Sequence, residues 1–88
     1  MKHRRNATVV HESGLHLRIA TKITGLANHY ECLIEVVKDG EVADAKSTMS
    51  LLALGASQGT LLEVRGQGPG SVDAVRAVVQ MLEDETTS

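Results

Sequence analysis

The chain has 88 residues, 42% of them hydrophobic, a formal net charge of −2 and one aromatic residue, Tyr30. That length suits one domain, residues 1–88, whose modest core is built from Val, Leu, Ile, Ala and Met. The charge balance gives no general attraction to nucleic acid or anionic membrane, and no apolar run reaches the length of a membrane span or signal peptide, so a cytoplasmic setting is expected.

In chain order, ATVV at 7–10 reads as the end of a first strand beginning near Arg5. HESG at 11–14 then turns into a first helix. Ser13 is a good N-cap, and apolar residues recur at Leu15, Ile19, Ala20, Ile23, Leu26 and Ala27, to an end near Asn28. CLIEVVK at 32–38 is β-rich and predicts a second strand, Asp39-Gly40 is a two-residue hairpin signal, and 41–45 return as a more polar strand close to an edge. STMSLLAL at 47–54 reads as a short helix stopped by Gly55, and TLLEVR at 60–65 as a fourth strand. A flexible glycine-rich turn follows at 66–70. Ser71 then caps a last helix with apolar residues at Val72, Val75, Val78, Val79 and Leu82, and 83–88 form a frayed polar tail.

The order β-α-β-β-α-β-α predicts an α+β fold, a two-layer open-faced sandwich with a four-stranded antiparallel sheet and three helices on one face. A ferredoxin-like fold shares the first six elements; strand order separates the two.

The stretch SGLHLRIA at 13–20 places His16 and Arg18 where the first helix begins. A helix start offers unpaired N–H groups and partial positive charge, so His16 stands beside an anion site to which Arg18 adds a fixed charge. A neutral imidazole is a nucleophile and can carry a phosphoryl group. The helix dipole contributes roughly 0.3–1 kcal/mol to an anion there, which favours the loaded form without trapping it. By position alone, a solvated histidine near a helix cap is the commoner case.

Other features point to less. His3, His11, His16 and His29 lack metal-ligand spacing, and Gly66, Gly68 and Gly70 do not complete a dinucleotide motif because residue 71 is serine; neither metal nor cofactor is expected. Cys32 is the only cysteine, so no intramolecular disulfide forms, and it reads as a small buried hydrophobe. Lys2, Arg4 and Arg5 form a basic cluster with no stacking aromatics, better read as a solvated N-terminus than as an RNA site.

GLHLRIA at 14–20 resembles GLHARPA, the phosphorylation motif of the HPr family of histidine-containing phosphocarrier proteins. AKSTMSLLALG at 45–55 resembles that family's second motif, a Lys-Ser pair opening a short helix, and QGTLLEV at 58–64 matches the strand that follows. The resemblance spans nearly the whole chain. It implies a carrier rather than an enzyme: His16 takes a phosphoryl group on Nδ1 as a transient phosphohistidine, and Arg18 steadies it. Enzyme I, charged by phosphoenolpyruvate, is the implied donor and a IIA-type protein the acceptor, in sugar uptake or its regulation. Ser47 matches the serine that HPr kinase/phosphorylase modifies in many members, and it is also a helix cap in its own right. The resemblance puts Met49 and Leu52 on an apolar docking patch for partners, with Leu17 as a further contact; a monomer is expected. Two residues depart from the family pattern. Ile19 replaces the usual proline of the first helical turn, which should loosen the loop slightly, and Leu17 is bulkier than the common Ala or Thr. The alternative reading is a regulatory binding module of the same fold, switched at Ser47 without carrier activity.

Overall fold

Alternation of side chains gives each strand a dry side and a wet side. Ala7, Ile34, Val36, Ala43, Leu62 and Val64 are buried, while Leu33, Val42 and Leu61, on the opposite parity, are exposed. The computed structural model describes residues 2–86 and contains β1 (Lys2–Thr8), α1 (Leu17–Ala27), β2 (Leu33–Lys38), β3 (Glu41–Asp44), α2 (Thr48–Ala53), β4 (Leu61–Gln67) and α3 (Ser71–Glu83). The strands form one sheet in the order β1-β4-β2-β3, and each neighbouring pair is antiparallel. This is the expected open-faced α+β sandwich. β4 and β2 occupy the centre, which is not the ferredoxin-like arrangement with β1 and β3 inside.

Register sets the core. Val64, Val36 and Ala43 stand opposite one another across β4, β2 and β3, forming a dry row under the helices. α1 contributes Ile19, Ala20, Ile23 and Ala27 from one face, and α3 contributes Ala74, Val75, Val78, Val79 and Leu82. Cys32 is buried and free, as its apolar setting predicts. Asp39 and Gly40 both have positive φ, at 48° and 84°, as a two-residue hairpin turn with primed geometry demands.

Several boundaries differ from the sequence reading. β1 begins at Lys2 rather than near Arg5 and ends at Thr8, because Lys2, Arg4 and Asn6 take the wet side and need no apolar partner. β4 runs on through Gly66 and Gln67, which the sequence reads as a turn. A Cβ at Gly66 would lie 2.8 Å from Val75 Cγ2 and 3.1 Å from Ser71 Cβ, so this glycine lets α3 lie close against the strand. Ser71 is therefore buried inside α3 and not its cap; Gly70, at φ 77°, holds that place without a side-chain bond. Glu83 belongs to α3 rather than to a frayed tail, and its Oε2 accepts the Thr8 N–H at 3.1 Å. Residues 87 and 88 lie outside the described residues. Among the described residues no helix is long and apolar enough to cross a membrane.

Candidate functional site

The loop before α1 is built around Gly14. The Gly14 N–H donates to the His11 carbonyl at 2.8 Å, closing a turn in which Ser13 is exposed. Gly14 has φ 73°, and a Cβ there would sit 2.5 Å from the Ala56 carbonyl oxygen and 2.9 Å from Ser57 Cα. Only glycine fits both the conformation and the space. Directly after it, the Leu15 N–H donates to the same Ala56 carbonyl at 2.9 Å and the Leu15 side chain is buried. The chain reaches His16 already anchored to the segment preceding β4.

His16, not Ser13, is the N-cap of α1. Its backbone is extended, at φ −91° and ψ 177°, its carbonyl accepts from the Ala20 N–H at 2.9 Å, and its Nδ1 accepts from the Arg18 N–H at 3.3 Å. Ser13 loses the role because the left-handed Gly14 and extended His16 stop the helix three residues after it. Acceptance at Nδ1 places that nitrogen's lone pair toward the helix and the ring proton on Nε2. The first-turn amides of Leu17 and Ile19 have no hydrogen-bond acceptor among the described residues, and no acidic residue occupies the first turn. The Arg18 side chain is exposed and has no acceptor among the described residues. The structure thus gathers a nucleophilic nitrogen, three helix-start amides and a cation on two turns of chain.

His16 also lines a half-open cavity of about 340 Å³ with His11, Ser13, Gln58, Glu12 and Glu85. Gln58 Nε2 donates to the Val10 carbonyl at 3.2 Å and so joins the loop from the β4 side. In the sequence His11 stands in the turn before the first helix and lacks metal-ligand spacing, yet it is 4% exposed with Nε2 3.1 Å from the Met81 carbonyl oxygen. The signal available was alternation: Ala7, Val9 and His11 continue one buried parity.

Around the site, Leu17 and Met49 are exposed at 62% and 74%, whereas Leu52 is half-buried and packs on the core. Ser47 caps α2, its Oγ accepting from the Ser50 N–H at 3.2 Å. α2 is tied to α1 by a Thr48–Thr24 hydroxyl bond of 3.0 Å and to β2 by the Lys38 ammonium, which donates to the Leu54 carbonyl at 2.9 Å. A second hollow, about 370 Å³, lies on the open side of the sheet between Lys2, Arg4, Leu33 and Arg65; no histidine lines it and it does not reach His16. Among the described residues no three His, Cys, Asp or Glu side chains are gathered to hold a metal ion.

Comparison with known proteins agrees with this geometry. A family model described as "PTS HPr component phosphorylation site" matches residues 3–84. The phosphocarrier protein HPr of Pseudomonas aeruginosa is 34% identical over 76 residues, covering 85% of this chain and 84% of the relative. The phosphocarrier protein NPr of Shewanella violacea is 33% identical over 86 residues, covering 94% of each. Among solved structures, an HPr from Bacillus anthracis superposes with a TM-score of 0.89 at 24% identity, over 93% of this chain and 98% of that one, a likeness that speaks for the fold. With its helix-start histidine in place and its family match covering nearly the whole sequence, the chain belongs to the HPr family of phosphocarrier proteins of the phosphotransferase system.

Proposed function

We propose that this protein is a cytoplasmic phosphoryl carrier: His16 accepts a phosphoryl group from enzyme I on Nδ1 and yields it to a IIA-type acceptor protein. One observation carries the reading most of the way. The ring nitrogen with the available lone pair is the one already directed at the start of α1, bonded to the Arg18 N–H at 3.3 Å. When Nδ1 attacks phosphorus, the N–P bond forms as the donor's bond to phosphorus breaks, and Nδ1 loses its lone pair. The Arg18 amide then exchanges the imidazole for a phosphoryl oxygen, beside the amides of Leu17 and Ile19 and the Arg18 guanidinium. The same donors that end the helix in the free protein hold the charge in the loaded one. An attraction of about 1 kcal/mol from the helix end, with exposed rather than buried charges, leaves the group transferable. In-line geometry is completed by the donor and acceptor proteins, for which exposed Leu17 and Met49, with half-buried Leu52 three residues after Met49, form the docking contacts.

Ser47 has a complete structural role as the cap of α2. Modification by HPr kinase/phosphorylase would replace that cap with a phosphate and add negative charge near the docking contacts, weakening acidic partners.

The test is incubation with phosphoenolpyruvate and a competent enzyme I, read by intact mass and acid lability. One acid-labile phosphoryl group, absent in His16→Ala and present in Ser47→Ala, is the expected result. No incorporation from a competent donor would overturn the carrier reading.

A further inference from the structure

We infer that His11 is a positioning residue for His16, latching the phosphoryl-accepting loop to the C-terminal end of α3. The inference rests on the carrier reading for its kinetic consequence, but its geometry stands apart from that reading.

Position 11 continues the dry parity of Ala7 and Val9, where an apolar side chain would pack without difficulty. A histidine there is 4% exposed, its Nε2 lies 3.1 Å from the Met81 carbonyl oxygen, and its Nδ1 is buried with no hydrogen-bond partner among the described residues. A carbonyl only accepts, so Nε2 carries the proton and donates. A buried polar atom left unpartnered is costly, and a leucine would avoid it. What a leucine would lose is the bond to Met81, whose carbonyl is among the last four of α3 and lacks a partner within the helix.

That bond is the end of a seam. The Thr8 N–H donates to Glu83 Oε2 at 3.1 Å, the Val10 N–H to the Leu82 carbonyl at 3.4 Å, and His11 Nε2 to the Met81 carbonyl. The next bond along the chain is the His11 carbonyl accepting from the Gly14 N–H, which closes the turn leading to His16. His11 therefore holds α3 with its side chain and the turn with its backbone, and it shares a cavity wall with His16. The loop is pinned to Ala56 through Gly14 and Leu15, to Gln58 through the Val10 carbonyl and to Met81 through His11. Cutting the His11 pin loosens one wall of the cavity, and displacements on the order of 1 Å slow transfer by up to ~10²-fold.

The test compares His11→Leu, His11→Gln and His11→Asn in the full chain. The glutamine amide nitrogen reaches about as far as Nε2 and can donate to Met81; the asparagine amide ends nearer the place of Nδ1 and falls short. Two readouts are taken: hydrogen-exchange protection of the Arg18 amide in the unloaded protein, and the rate of phosphoryl incorporation at saturating enzyme I. Expected are a loss of protection and an incorporation rate lowered about 10-fold in the leucine and asparagine variants, with the donor's KM unchanged and both readouts restored to within about 3-fold by glutamine. Nitrogen NMR should also show the Nε2–H tautomer of His11 in the wild type. Arg18 protection and His16 ring shifts that stay at wild-type values in His11→Leu would overturn the inference. Should that variant not fold, equal protection in the glutamine and asparagine variants would do the same. A wild type that takes up no phosphoryl group sinks the carrier reading, while the exchange comparison still decides for or against the latch.

Discussion

α1 and α2 both start on a side-chain cap, and the two caps differ in kind. At α2, Ser47 Oγ accepts from the Ser50 N–H at 3.2 Å, an ordinary cap from a residue type well suited to the place. At α1 the cap is an imidazole, His16 Nδ1, accepting from the Arg18 N–H at 3.3 Å, beside two more amides without acceptors. The second arrangement is the poorer cap and suits the proposed chemistry, because two of its donors already lack acceptors and the Arg18 amide is released when Nδ1 bonds to something else. The fold compensates by fixing the α1 start from outside, through Gly14 and Leu15 against Ala56.

Exchanging the caps breaks this contrast most sharply. His16→Ser should abolish phosphoryl incorporation and at the same time raise stability in denaturant titration by about 0.5–1 kcal/mol, the gain of a better N-cap. Gly14→Ala should lower stability by about 2–4 kcal/mol in the same titration, since the new Cβ meets Ala56 O at 2.5 Å in a left-handed backbone. Arg18→Ala should slow incorporation on the order of 10²-fold, with Arg18→Lys recovering part of it because an ammonium supplies charge without the planar fork. Ser47→Ala should be the mildest: about 1 kcal/mol of stability lost with the loss of the α2 cap, and incorporation within about 2-fold of wild type.

Much of this was legible from the residues. The element order, the Asp39-Gly40 hairpin and the Ser47 cap follow from local patterns, and the structure has all three. The motif around His16 pointed to the family, and the family match covers it. What sequence misplaced was decided by packing between elements. Ser13 reads as the α1 cap until the contact of Gly14 with Ala56 is known, and Ser71 reads as the α3 cap until Gly66 is seen to draw that helix onto β4. His11 was hidden in the same way, since its partner Met81 is 70 residues away. A local preference loses where the close approach of two elements sets the backbone.

The most direct measurement is ring-nitrogen NMR of His16 before and after loading with phosphoenolpyruvate and enzyme I, following the Arg18 amide in the same sample. Expected is phosphorus bonded to Nδ1, the proton retained on Nε2, and a large shift of the Arg18 amide as it passes from the imidazole to a phosphoryl oxygen. Phosphorus on Nε2, or loading of His16 that leaves the Arg18 amide unmoved, would contradict the assignment of the α1 start as the phosphoryl site.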